Sequence, residues 1–535
     1  MERSRRSRLL YVPLLVGGLV LLTAGWFFLG SRAASGGGSY VEGAVGRPQH
    51  PTPLFQRDNA VDGDLASLVF SGLTRIDTDG TPQPDLAERW EVTPDGMTYT
   101  FHLRANLAWH DGAPLTSQDA AFTVASVQAP GFQGSSTLAA RWANVIVILP
   151  DERTVVYRLP QPSAAFLTVA SLGLVPRHLL DGIGAAELIN AAANRSTVGS
   201  GPFRLTTLDE SHAVLEPNPT FYLGAPRLDH IELRFYVDAA ALARALSTKQ
   251  VSAALLDETP SEDVLRAVLH RDDLHSTPLV EGAYDILYMN NQRDPLTDTG
   301  LRRALAASID RQALIPSDSP ALAGDGPIVP GSWAYTPGNW SSPAQAQGLF
   351  AAAGWRRNAG GVLERDNKRL TLELLTNDAP RRSALANAIA GQLRAQGVEV
   401  NVRTLSTSEL LRDRINPRNY DLLLFGWQTD IDPDPYGGWH TSQIASGGRN
   451  VAGFHDDTAD KLLQDARRTL DTNERRDLYK QFLTRFVDLA PSVVIAYPRR
   501  VYVQPSTLQG ATPTVLFDAA SRFHGAYRWA LARPR

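Results

Sequence analysis

Two segments of this chain concentrate the side chains that could do chemistry. Residues 99–122, YTFHLRANLAWHDGAPLTSQDAAF, bring together His102, His110, Asp111 and Asp119 with a hydroxyl-rich run, in a protein that has 11 histidines in all. That density poses the question of an active site. Residues 430–440, DIDPDPYGGWH, set Asp430, Asp432 and Asp434 at alternate positions, a spacing that suggests calcium.

The elements needed to position these groups answer the first question. In YTFHLRANL, Tyr99, Phe101 and Leu103 alternate with Thr100, His102 and Arg104, so a strand puts the aromatics on one face and His102 on the other, wet one. Asp-Gly in WHDG (Trp109–Gly112) suits a chain reversal. Thr116 and Asp119 form a T-x-x-D cap ahead of AAFTVASV, which marks a helix start. Strand, turn and capped helix use nearly every polar residue here, and the segment reads as scaffold. VGSGPF (Val198–Phe203) lacks the lysine and helix of a phosphate cradle and reads as a tight turn.

The acidic loop stays open. An EF-type calcium loop wants glycine sixth and glutamate twelfth, and Pro435 and Thr441 stand there, so metal is the weakest reading. Pro433 and Pro435 stiffen the loop, which suits either a proline turn or the presentation of side chains into a cleft. No H-E-x-x-H, G-x-S-x-G, Walker loop or dinucleotide fingerprint occurs, and no carboxylate pair is singled out for hydrolase chemistry. The chain reads as a non-enzyme without cofactor or resident metal.

A length of 535 residues exceeds one core, and the formal charge of −4 offers no basic surplus for nucleic acid. Cysteine is absent, which removes disulfides and thiolate sites. Arg3, Arg5, Arg6 and Arg8 precede the uncharged run Tyr11–Gly30, whose 20 residues match a spanning helix better than a signal-peptide core. An uncleaved anchor with its arginines in the cytoplasm is favoured over a cleaved signal, and both place the rest of the chain outside the cytoplasm.

Strand-like runs (Arg153–Pro160, Asp229–Val237, Arg369–Thr376, Val398–Leu405) are interspersed with helical ones (Asp238–Gln250, Arg381–Gly397, Asp457–Asp471), so the fold class is α/β. Residues 371–405 form a strand–helix–strand unit, predicting a parallel pair with a crossover helix.

In order, PDLAERWEVTPDGMTYTFHLRANLAWHDGAPLTSQDAAFTV (Pro84–Val124), TVGSGPFRL, EPNPTFYLGAPRLDHIELRF, LYMNNQRDPLTDTGLRRALAASIDRQALI, FAAAGW, YDLLLFGWQTDIDPDP and LAPSVVIAY resemble the family 5 extracellular solute-binding proteins, the oligopeptide, dipeptide and nickel-type receptors of ABC importers. The match spans about residues 48–510, though the usual lipoprotein cysteine is missing. The resemblance implies a two-lobed periplasmic-binding-protein-like clamp with a hinge, the large first lobe carrying an extra subdomain. The expected division is 1–8 basic cytoplasmic end, 9–30 transmembrane anchor or signal, 31–47 flexible linker, 48–280 first lobe, 281–489 second lobe and 490–535 return to the first.

Ligand would then sit in the interlobe cleft. The aspartate after a G-W pair accepts a peptide's ammonium group in such proteins, which implies Asp430 here, after Gly426-Trp427. Trp427, Tyr436 and Trp439 would line the pocket, while Asn290 and Asn291, at the expected lobe crossing, would contact ligand or fix the hinge. His440 reads as a solvated loop histidine rather than a ligand of a nickel-type complex. Implied partners are a peptide or other small solute, the permease with its cytoplasmic ATPase, and the membrane through the N-terminal helix, with the protein a monomer. A ligand sensor using the same clamp, or a receptor for a metal complex or oligosaccharide, is the alternative.

Overall fold

Three sheets organise the chain. The computed structural model describes residues 37–532 apart from 57–58, 192–196, 257–267, 269–270, 318 and 446. The expected anchor at Tyr11–Gly30 lies outside the described residues; among those described, no helix is long and apolar enough to cross a membrane.

An eight-stranded sheet forms the base of the first lobe, with strands in the order Val515–Leu516, Leu274–Glu281, Arg499–Pro505, Ala253–Leu256, Ser39–Val45, His230–Tyr236, His212–Pro217 and Phe203–Leu208. Between Ser39–Val45 and Phe203–Leu208 the chain builds a separate four-stranded sheet (Ala87–Val92, Thr98–Leu103, Thr154–Arg158, Ile146–Asp151) with its own aromatic core. The second lobe is a six-stranded sheet in the order Leu322–Ala323, Ser492–Tyr497, Ala283–Met289, Leu422–Gln428, Thr371–Asn377 and Glu399–Leu405.

The sequence patterns explain these elements locally. Thr371–Asn377 and Glu399–Leu405 pair in parallel across the helix Pro380–Ala395. That helix buries Ala386, Ile389, Ala390 and Leu393, an i, i+3, i+4, i+7 stripe on the sheet. Proline begins it and Gly397, at φ +96°, ends it. The stretch 99–122 is strand, turn and capped helix as its grammar requires: Tyr99, Phe101 and Leu103 are buried, and the Thr116–Asp119 capping box is formed. The amide of Gly199 donates to His110 Nδ1 (3.2 Å), so Nε2 carries the hydrogen and donates to the Gly201 carbonyl (3.0 Å). Burial pushes this imidazole down to about 4, so it stays neutral and ties the 198–203 turn to the subdomain. A Cβ at Gly199 would run into the Val69 carbonyl, which is why the turn is glycine-rich.

Three expectations are corrected. Ser39–Val45, within the expected linker 31–47, is an interior strand of the eight-stranded sheet. Ser492–Tyr497, within the expected return from 490, still belongs to the six-stranded sheet, and the chain re-enters the first lobe only at Arg499. The lobe crossing lies at Gly282, between Glu281 and Ala283, and not at Asn290 and Asn291, which stand at the other end of strand Ala283–Met289. The two crossings run side by side: the Glu281 amide donates to the Pro498 carbonyl at 2.9 Å, and Gly282 to Leu516 at 2.7 Å. Gly282 is small because a Cβ there would stand 3.0 Å from the Phe517 Cα.

Candidate functional site

A cavity of about 470 Å³ lies between the lobes. One wall comes from the four-stranded subdomain, through Ala140, Arg141, Ala143, Asn144 and Val145 and residues of the 159–169 segment. The opposite wall is Tyr284, Val329, Trp427 and the acidic loop from Thr429 to Pro435, with Arg449 and Arg467. The lobes touch across it, since the Ala164 amide donates to the Arg467 carbonyl at 2.8 Å. The stretch 99–122 contributes nothing to the walls directly. Its Tyr99 hydroxyl donates to the Ser163 carbonyl at 2.7 Å and so positions one of them.

Each aspartate of the acidic loop meets its own arginine. Asp432 takes a two-pronged contact from Arg475, at 2.8 and 3.0 Å, with both side chains only 6% exposed. Arg475 also donates to the Tyr479 hydroxyl (2.8 Å) and the Ala466 carbonyl (3.0 Å). Burial works against this cation, but Asp432 outweighs it and holds the guanidinium above its ordinary value. Asp434 pairs with Arg467 at 2.6 Å, and burial pushes its carboxyl up against the pull of that arginine. Asp430, at the rim, pairs with Arg141 of the facing subdomain. The loop is therefore a ladder of ion pairs, with two rungs fixed inside the second lobe and one spanning the cleft.

Trp427, next to last in the strand Leu422–Gln428, has its indole against Gly438, where a Cβ would stand 3.2 Å from the ring, and the Arg449 guanidinium 4.6 Å from a ring centroid. Such a stack holds a cation over an aromatic face.

This geometry accords with a match between residues 81–449 and the family model for the middle part of bacterial extracellular solute-binding proteins, family 5. The chain belongs to that family. Among family 5 relatives, the oligopeptide-binding protein AppA of Bacillus subtilis is 27% identical over 492 residues, covering 89% of each chain. A putative ABC transporter peptide-binding protein of Brucella abortus is 30% identical over 383 residues, 69% of each chain. Solved relatives include NikZ from Campylobacter jejuni in complex with Ni(L-His), with TM-score 0.67 and 25% identity over 92% of this chain and 99% of that one. HbpA2 from Haemophilus parasuis shares the fold at TM-score 0.78 and 19% identity, over 92% and 100% of the two chains.

Within this family 5 clamp the residues singled out from sequence divide. Asp430, Trp427 and Trp439 line the cavity. Trp439 is only 2% exposed and packs edge-on against Phe486 (4.7 Å), so most of its indole belongs to the second lobe's core. Tyr436 lies outside the lining, stacked between His440 (4.1 Å) and the Arg467 guanidinium (3.7 Å). Asn291 is remote: its amide donates to the carbonyls of Met289 (2.7 Å) and Pro491 (2.9 Å). Its neighbour Asn290 is spent likewise on Arg418 and Tyr420, both at 2.9 Å. His440 is 6% exposed rather than solvated, with Nδ1 accepting from the Ser442 amide at 3.0 Å. Burial keeps its pKa low. Among the described residues no cluster of three or more histidines and carboxylates could hold a metal ion.

What the sequence reading missed is the cationic half of the site: Arg141, Arg449, Arg467 and Arg475. The available signal was the loop itself. Three aspartates on a proline-stiffened backbone need counter-charges once buried, but nothing local says which arginines supply them.

Proposed function

We propose that this chain captures a peptide-like solute between its lobes and delivers it to the permease of an ABC importer. The observation that carries this reading is a cavity whose walls belong to opposite lobes, with the lobes joined by two adjacent crossings at Gly282 and Pro498. Rotation about two adjacent antiparallel crossings opens and closes such a cleft without disturbing either sheet. Solute shifts the protein toward the closed form to the extent that it touches both walls at once. Trp427 supplies flat contact area, and the buried Asp432–Arg475 pair and the partly buried Asp434–Arg467 pair keep the acidic wall rigid and neutral. The names of its relatives, which include oligopeptide-binding and peptide-binding proteins, support the solute class.

The chain works outside the cytoplasm without catalysing a reaction, tethered through Tyr11–Gly30. Native mass spectrometry of the full-length protein, released from mild detergent as purified, tests the solute class. Extra mass that resolves on denaturation into a mixture of peptides supports the reading. A single non-peptide mass would replace the solute class while keeping the clamp.

A further inference from the structure

The ion pairs in the cleft leave one charge over. The cavity wall carries Asp430, Asp432 and Asp434 against Arg141, Arg449 and Arg467, with Arg475 standing behind. Asp432 is taken by Arg475, Asp434 by Arg467 and Asp430 by Arg141. Arg449 has no carboxylate partner among the described residues and lies over the Trp427 ring. Its position is set by the adjacent Asn450, fully buried, whose amide reaches the carbonyls of His440 (3.2 Å) and Phe454 (2.8 Å) and whose oxygen accepts from the Phe454 amide (3.1 Å).

We propose that the solute is anchored by a carboxylate on Arg449 and needs no free amine, because Arg141 already fills the place at Asp430. The inference deepens the reading of the cleft as a site for a peptide-like solute and rests on it. Its physical basis is a difference between two exchanges. An arriving ammonium must displace Arg141 from Asp430, which trades one ion pair for another and also breaks a contact that holds the lobes together. An arriving carboxylate gains a pair with Arg449 and breaks none. A guanidinium already seated on an indole face presents its donors with little further ordering, in a geometry that suits both oxygens of a carboxylate. The preferred solutes are therefore acid-terminated peptides, indifferent to whether the amine is free or acylated.

The test uses full-length protein and four pools of short peptides: free or acetylated at the amine, each as the free acid or the amide. Thermal shift identifies binders, and titration gives their affinities. Both acid pools are expected to bind, and amidation to weaken binding at least about tenfold, the scale of a lost charged hydrogen bond. Acetylation should change affinity by less than about threefold, since no charged hydrogen bond is lost with the amine. Arg449→Gln should abolish the preference for acid over amide and keep the ligand-free melting temperature. Equal binding of acid and amide would overturn the inference, as would loss of binding on acetylation. Silence of all four pools would instead overturn the peptide reading beneath it.

Discussion

The Asp432–Arg475 pair offers a quantitative check on how the acidic loop is held. Replacing Arg475 by Met removes the two charged hydrogen bonds to Asp432 and strands its carboxylate, 5% exposed, without its own partner. Breaking a buried pair from one side costs about 3–5 kcal/mol, mostly through the charge left behind. For a lobe-sized domain about 1 kcal/mol moves the melting temperature by 2–4 °C, so the second lobe should melt roughly 6–20 °C lower. Scanning calorimetry on the full-length protein measures this directly. The decisive comparison is the double variant Asp432→Leu with Arg475→Met, in which no charge is stranded and most of the loss should return. A single variant melting within about 2 °C of the parent would refute the reasoning, because it would mean that water reaches Asp432 and the pair contributes as a surface pair does. A double variant no better than the single one would refute it from the other side.

Further outcomes follow from other parts of the molecule. Asp85 is buried, accepts from the Tyr222 hydroxyl at 2.7 Å, and has its carboxyl pushed up by burial to about 7. The folded state therefore binds this proton more tightly than the unfolded one, whose carboxyl titrates near 4. Its contribution to stability is greatest below about pH 4 and falls as pH rises to about 7. Asp85→Asn should flatten that slope in melting temperatures taken across this range. Gly199→Ala should destabilise the first lobe by about 1–3 kcal/mol in chemical denaturation, since the new methyl meets the Val69 carbonyl. Trp427→Ala should weaken solute binding by about tenfold or more in calorimetric titration.

Local physics made much of this protein legible in advance. The crossover unit around Pro380–Ala395 was readable because its buried positions follow the helical period and its ends carry proline and glycine. The polar crowding of 99–122 resolved into a strand, a turn and a capping box because those elements consume such side chains over a few residues. The family likeness was also legible, since it rests on ordered motifs.

Longer-range decisions were not. Ser39–Val45 falls within the expected linker, yet its Glu42 sits in the core. It is wholly buried because Arg522, 480 residues away, donates to it at 2.7 Å and to Asp64 at 2.6 and 2.7 Å. Ser492–Tyr497 is buried along its whole length and reads as an interior strand of either sheet, and only the pairing with Ala283–Met289 decides which. Asn291 looked like a cleft residue until the crossing fell at Gly282, a full strand earlier. Likewise the sequence shows three aspartates on a stiff loop, while Arg141, Arg449, Arg467 and Arg475 reach that site from separate segments. Periodicity, caps and turns are set by neighbours within a few residues, so the chain alone determines them. Which charge neutralises which, and which one is left for a ligand, depends on distances that exist only after the lobes have packed.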